Sequence, residues 1–314
     1  MKKKEGLGAS VTNLFSRTMK VKDAAKEISF SIDEGATVGF LGPNGAGKTT
    51  TLKMLSGIMH PSGGGAKVLG FVPWERKKAF RMQISIVMGQ RSQLWPDLPA
   101  LESFDLNREI YEIPRADFRR TLDELVSLFG IEDQLKVQVR RLSLGERMKM
   151  EIIAALLHRP KVLFLDEPTI GLDLISQKSI RDLLKTLSSS FGTTVMLTSH
   201  YLSDIEDLCE RIILINRGSV VYDGLLDRVN AELGNLKTVR LTLSSPVSDS
   251  ALSSFAGFSG SEGDQVLFRV AREDVRTISR SILDELPVID FTVEDTPLEE
   301  GIERLYRGEA CDAR

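Results

Sequence analysis

The chain has 314 residues, 42% of them hydrophobic and 27% charged, with 41 lysines and arginines against 44 acids for a net charge of -3. Such a balance gives no sign of a polyelectrolyte contact with nucleic acid, a local basic patch aside, and the length suits one large domain plus a smaller one or two medium ones. Two cysteines, Cys209 and Cys311, are too few and too far apart for a metal cluster or a disulfide framework, and no apolar run reaches the ~18 residues of a membrane span.

Lys2, Lys3 and Lys4 have the basic character of a leader, but Ser10, Thr12, Asn13 and Ser16 dilute the apolar region a leader needs, so none is expected. Up to about residue 35 the pattern predicts an antiparallel hairpin, ending in residues 28–32, whose alternation puts Ile28, Phe30 and Ile32 on one face. Phe15, ahead of it, reads either as a core or edge aromatic or as a surface on which a base stacks. Asp33, Glu34 and Gly35 turn the chain into a short buried strand at 37–41.

Directly after that strand, Gly42, Pro43, Asn44, Gly45, Ala46, Gly47, Lys48, Thr49 and Thr50 fit the pattern G-x-x-x-x-G-K-[ST] without a mismatch. The glycines let successive N–H groups point inward around an anion, Lys48 reaches β- and γ-phosphates, and the Thr49 hydroxyl suits Mg²⁺. A helix over 50–55 adds the partial positive charge of its N-terminus. Next come a turn at 60–65, where His60 faces solvent, a short strand at 67–70, and a strand at 84–88 that stops at Gly89 and Gln90. Function concentrates in loops at the carboxyl ends of parallel strands, so Gln90 is a candidate ligand contact.

From Leu101 to about Gln138 the period becomes helical, with Leu122, Leu125, Val126, Leu128 and Phe129 on one face of an insert spanning about 95–155. Trp74 and Trp95 read as packing residues, Trp95 alternatively as facing a partner. Ser143 and Glu146 have capping-box spacing, so a helix begins there, and its N-terminus could hold an anion. The apolar run 162–165 ends abruptly in Asp166 and Glu167. Carboxylates directly after a buried strand need a cation or a hydrogen-bonded task. With a phosphate loop in the same chain, Asp166 is assigned to Mg²⁺ and Glu167 to the attacking water.

A strand at 194–198 runs into Ser199 and His200, where His200 could donate a hydrogen bond to a γ-phosphate, whereas His158 and Cys209 read as structural. A hairpin over 211–222 closes a first domain at about 228. Beyond it, alternation at Val239, Leu241 and Leu243, at Val266, Phe268 and Val270, and at Ile289, Phe291 and Val293 predicts strands. Helices are expected over 273–286 and after Thr296, completing a small α/β domain over 229–314 whose role is contact or regulation.

Taken together, these motifs resemble the nucleotide-binding subunit of ATP-binding cassette transporters over residues 1–228. Residues 42–50 look like its Walker A loop, Gln90 its Q-loop, 142–146 its signature, 162–167 its Walker B strand, Asp173 its D-loop residue and His200 its switch histidine. The wording of the signature and of 166–173 is similar to the ABC-2 exporter branch, which includes drug-resistance ATPases. Two residues depart from the commonest signature: Leu144 replaces a glycine and Glu146 a glutamine, while Ser143 and Gly145 remain.

The resemblance implies a P-loop NTPase fold: a RecA-like parallel core, an antiparallel β subdomain and a helical subdomain. It further implies ATP and Mg²⁺ bound between two head-to-tail copies, with Ser143 and Gly145 of one facing the γ-phosphate held by the other. Thr49, Gln90 and Asp166 would serve the metal, Lys48 and His200 the γ-phosphate, Glu167 the water and Phe15 the adenine. The expected partners are a second copy and separate permease subunits docked near Gln90 and the helical insert at the cytoplasmic face of the membrane, and no nucleic acid. Alternatives are an importer cassette, or a soluble cassette ATPase working on ribosomes or DNA.

Overall fold

The structure is a computed structural model that describes residues 24–199, 201–229 and 236–307. Six strands form the first sheet: β1 (Thr37–Leu41), β2 (Ile84–Met88), β3 (Val162–Asp166), β4 (Thr194–Thr198), β5 (Arg211–Asn216) and β6 (Ser219–Leu225). Their order is β2-β3-β4-β1-β5-β6. The first five run parallel and β6 returns antiparallel along β5.

The inner strands are largely apolar because both faces of the sheet are covered there. Val162 and Phe164 of β3 join Val38, Phe40, Leu52 and Phe80 on one face, beneath α1 (Lys48–Leu55) and α2 (Lys78–Arg81). Leu163 and Leu165 point the other way, into a larger cluster that includes Phe104, Leu125, Ile153, Ile180 and Ile205. Those come from α3 (Ala100–Ile110), α4 (Arg115–Phe129), α5 (Leu144–Leu156), α6 (Leu174–Phe191) and α7 (Leu202–Leu208). The helical insert is punctuated as its sequence dictates: Pro99 and Pro114 precede α3 and α4, and α4 stops at Gly130 in the left-handed region.

A second, antiparallel sheet has the order β10-β7-β9-β8, from β7 (Leu236–Leu243), β8 (Phe258–Glu262), β9 (Gln265–Ala271) and β10 (Val288–Asp295). With α8 (Asp249–Leu252) and α9 (Val275–Glu285) it makes a β-α-β-β-α-β unit whose core gathers Val239, Leu241, Phe268, Leu252 and Ile282. The last helix, α10 (Leu298–Arg307), turns back to the first sheet. Its Ile302 and Leu305 lie in the larger cluster there, and Asn216 Nδ2 donates to the Tyr306 carbonyl at 2.7 Å. Among the described residues no helix is long and apolar enough to cross a membrane.

Three local expectations are corrected. Residues 28–32 alternate between half-buried and exposed, and Phe30 packs 5.6 Å from Phe40, but they form no strand among the described residues. The alternation registers which side is buried; a strand also needs a ladder partner. Residues 67–70 are not a strand either: Val68 bridges Phe71 across a tight turn in which Leu69 (φ 52°) and Gly70 (φ 80°) are left-handed. Trp95 is 54% exposed rather than packed, because the chain around it runs over the surface between β2 and α3.

Candidate functional site

The phosphate-loop pattern occupies the turn between β1 and α1, and two of its glycines are required by space. A Cβ on Gly42 would sit 2.4 Å from the Ile215 carbonyl oxygen, and one on Gly47 (φ 111°) would sit 2.2 Å from that of Ala24. With α1 starting at Lys48, the loop borders a cavity of about 240 Å³, walled by Pro43 to Gly45, Gly47 to Thr50, and Glu167, where the first amides of α1 have no partner within the helix. Lys48 is only 5% exposed, and its Nζ donates to the Gly42 carbonyl at 2.6 Å. Burial pulls its ammonium below the ordinary lysine value, while the neighbouring Glu167 and Asp166 oppose that shift.

Parallel pairing sets Met88, Asp166 and Thr198 at one level, the carboxyl ends of β2, β3 and β4. There Thr49 Oγ1 donates to the Asp166 carboxylate at 2.9 and 3.1 Å, and Thr198 Oγ1 donates to the same group at 2.8 Å. Gln90 Nε2 donates to Glu167 at 3.2 Å. Glu167 itself has φ 56°, and its amide donates to both the carbonyl and the hydroxyl of Thr198 at 3.1 Å. Lys48, Thr49, Gln90, Asp166 and Glu167 thus converge on one edge of the sheet although they span 120 positions of sequence.

Ser143, Gly145 and Asp173 form a second cluster around the starts of α5 and α6. Ser143 caps α5 by the expected box: Glu146 N donates to Ser143 Oγ at 3.3 Å, and the Glu146 carboxylate accepts from Ser143 N at 2.9 Å and Ser143 Oγ at 2.8 Å. The Ser143 bonds hold the Glu146 carboxyl below its usual range. Asp173 caps α6, accepting from the amides of Ile175 and Ser176 at 3.0 Å, and a Cβ on Gly145 would lie 2.6 Å from Ser176 Oγ. Phe15 and His200 lie outside the described residues.

Two contributors escaped the sequence reading. Thr198, fully buried, bonds to both Asp166 and Glu167; the available signal was a hydroxyl ending an otherwise apolar strand. Gly89 lets β2 approach the backbone of Glu167 closely, since a Cβ there would be 2.0 Å from the Glu167 carbonyl oxygen. The hydroxyl and carboxylate oxygens gathered at Thr49 and Asp166 are the hard donors Mg²⁺ prefers. Among the described residues no three His, Cys, Asp or Glu side chains converge on one point.

The sequence pattern of the family described as "ABC transporter" matches residues 25–170, and that of "EvrA-like ABC transporter, C-terminal domain" matches 235–294. The linearmycin resistance ATP-binding protein LnrL of Bacillus subtilis (strain 168) is 34% identical over 71% of this chain and 71% of its own length. The daunorubicin resistance ATP-binding protein DrrA3 of Streptomyces coeruleorubidus is 34% identical over 68% of this chain and 67% of its own. Among solved structures, the dimeric post-hydrolysis state of the ATP-binding cassette MJ0796 with ADP and Pi superposes with a TM-score of 0.59 at 26% identity, covering 67% of this chain and 94% of that one. With its phosphate loop between β1 and α1, carboxylate pair at the end of β3 and capped serine at the head of α5, the chain belongs to the ABC transporter family as one of its ATP-binding proteins.

Proposed function

We propose that this chain hydrolyses ATP as one of two head-to-tail copies and so powers export by separate membrane subunits at the cytoplasmic face of the membrane. The observation that carries the reading is the convergence of Thr49 on Asp166 and of Gln90 on Glu167 at neighbouring strand ends beside the phosphate loop. Loop amides and Lys48 hold the β- and γ-phosphates, so Lys48 exchanges the Gly42 carbonyl for phosphate oxygen when nucleotide arrives. Thr49, Asp166 and Gln90 hold Mg²⁺, which offsets phosphate charge when bound. Glu167 takes the proton of the attacking water, His200 donates to the γ-phosphate, and Phe15 stacks on the adenine.

Ser143 and Gly145, with Asp173 beside them, meet the γ-phosphate held by the other copy. Leu174 and Ile175, next to Asp173, are 82% and 83% exposed, which supports a second copy covering that face. Residues 1–228 make up the cassette and 229–314 an accessory domain in this assignment. Exposed Trp95, Leu106 and Ile110 on the helical insert support a membrane partner docking there, and the resistance proteins among the relatives favour export. The test is Glu167→Gln, which retains ATP binding, nearly abolishes turnover and accumulates an ATP-bound dimer on size-exclusion chromatography. Phosphate release at the wild-type rate by that variant would remove Glu167 from its role.

A further inference from the structure

Glu151 sits on α5 with 3% of its surface exposed, in the apolar company of Met150, Ile152 and Ile153, and nothing in the proposed chemistry uses it. A buried carboxylate persists only with partners, and these partners all come from one place. Glu151 accepts from Ser92 Oγ at 2.5 Å, from the Gln93 amide at 2.9 and 3.1 Å, and from the Leu94 amide at 3.4 Å. The stretch that follows Gln90 is therefore fastened to α5, while Gln90 itself reaches across to Glu167. Burial raises the Glu151 carboxyl and the bonds from Ser92, Gln93 and Leu94 oppose that, in keeping with a group held by donors rather than by water.

Eight residues, about 12 Å along the axis, separate Glu151 from Ser143 at the head of the same helix. An α-helix moves as a rigid element over that length. Any shift of α5 produced at Ser143 thus pulls on residues 92–94, and through them on Gln90 and the carboxylate it touches. We infer that Glu151 is a positioning residue that couples the Ser143 end of α5 to Gln90 and Glu167, so that each copy's water-activating carboxylate responds to nucleotide held opposite its own Ser143. The inference rests on the two-copy reading above; Glu151 is not among the residues lining the phosphate-loop cavity.

The test uses the full-length chain with Trp74→Phe, so that Trp95, next to the fastened stretch, is its single tryptophan. Glu151→Gln keeps the shape but halves the acceptor capacity, and Ser92→Ala removes one donor while sparing the fold. ATP binding to the monomer, measured at low protein concentration, is expected to stay within twofold of the parent for both variants. Turnover is expected to fall at least tenfold in Glu151→Gln and about threefold in Ser92→Ala. The change in Trp95 emission that accompanies ATP-driven dimerisation of a Glu167→Gln background is expected to be lost in Glu151→Gln and reduced in Ser92→Ala, a readout that simple destabilisation would not move selectively. Parent-like turnover, or an intact Trp95 response, in either variant overturns the coupling alone. A parent that neither dimerises with ATP nor hydrolyses it overturns the proposed function and takes the coupling with it. Should Glu151→Gln not fold, Ser92→Ala decides by the same two readouts.

Discussion

Thr198→Val isolates a contact that residue patterns did not reveal. The substitution is nearly isosteric and replaces a hydroxyl, in a fully buried side chain, with a methyl group. Two bonds disappear: the one donated to Asp166 at 2.8 Å and the one accepted from the Glu167 amide at 3.1 Å. A bond to a charged group contributes about 1.5–3 kcal/mol and a neutral one about 1 kcal/mol. Neither partner is left bare, because Asp166 keeps the Thr49 hydroxyl and the Glu167 amide keeps the Thr198 carbonyl. The lower end therefore applies, about 2 kcal/mol in all. For a domain of this size that lowers Tm by roughly 4–8 °C. Turnover should drop further than stability suggests, because the same hydroxyl holds both the Asp166 carboxylate and the Glu167 backbone. Thermal scans and phosphate release on the same preparation measure the two effects. A Tm within 1 °C of wild type together with unchanged turnover would refute the claim that this hydroxyl anchors the strand end.

His158 stacks on Tyr111 with ring centroids 3.7 Å apart, its Nε2 bonds to the Ile84 carbonyl, and burial pushes it down to about 4 from 6.5. The unfolded chain thus takes up this proton near pH 6.5 and the folded chain only near 4, so stability present above pH 6.5 is lost as pH falls through that window, by about 3 kcal/mol at most. In urea titrations at pH 7.5 and pH 5, His158→Phe should show a smaller loss than wild type, and an equal loss would contradict this assignment. Gly89→Ala forces a Cβ against the Glu167 carbonyl oxygen; the protein should fold yet release phosphate at least tenfold more slowly, and normal kinetics would mean that β2 and Glu167 separate freely. Dimers mixed from wild type and a Ser143→Arg copy should lose hydrolysis at the site facing the substituted serine, an idea that wild-type rates in the mixture would sink.

Much of the site was legible because its chemistry is local. Residues 42–50, the capping box at Ser143 and Glu146, and the carboxylates ending 162–167 each declare themselves within a few positions. Their backbone requirements are likewise local: a loop, a helix start, a strand end. The six-residue turn at 60–65 and the helical period of the insert were readable for the same reason. What failed was pairing: residues 28–32 and 67–70 carry the residue types of strands without a ladder to match among the described residues.

From the sequence alone came the phosphate loop, its carboxylate partners, the helix caps and the alternation of the second sheet, since each is set by residue type and spacing along one stretch of chain. Only the tertiary structure decided that Thr198 grips Asp166, that Gly89 must yield space to Glu167, that Glu151 ties α5 to the loop after Gln90, and that α10 returns to the first sheet. Those contacts join residues tens of positions apart whose individual types are unexceptional. Their meaning lies in which donor faces which acceptor, and that is fixed when strand order and helix packing bring distant segments within hydrogen-bonding reach.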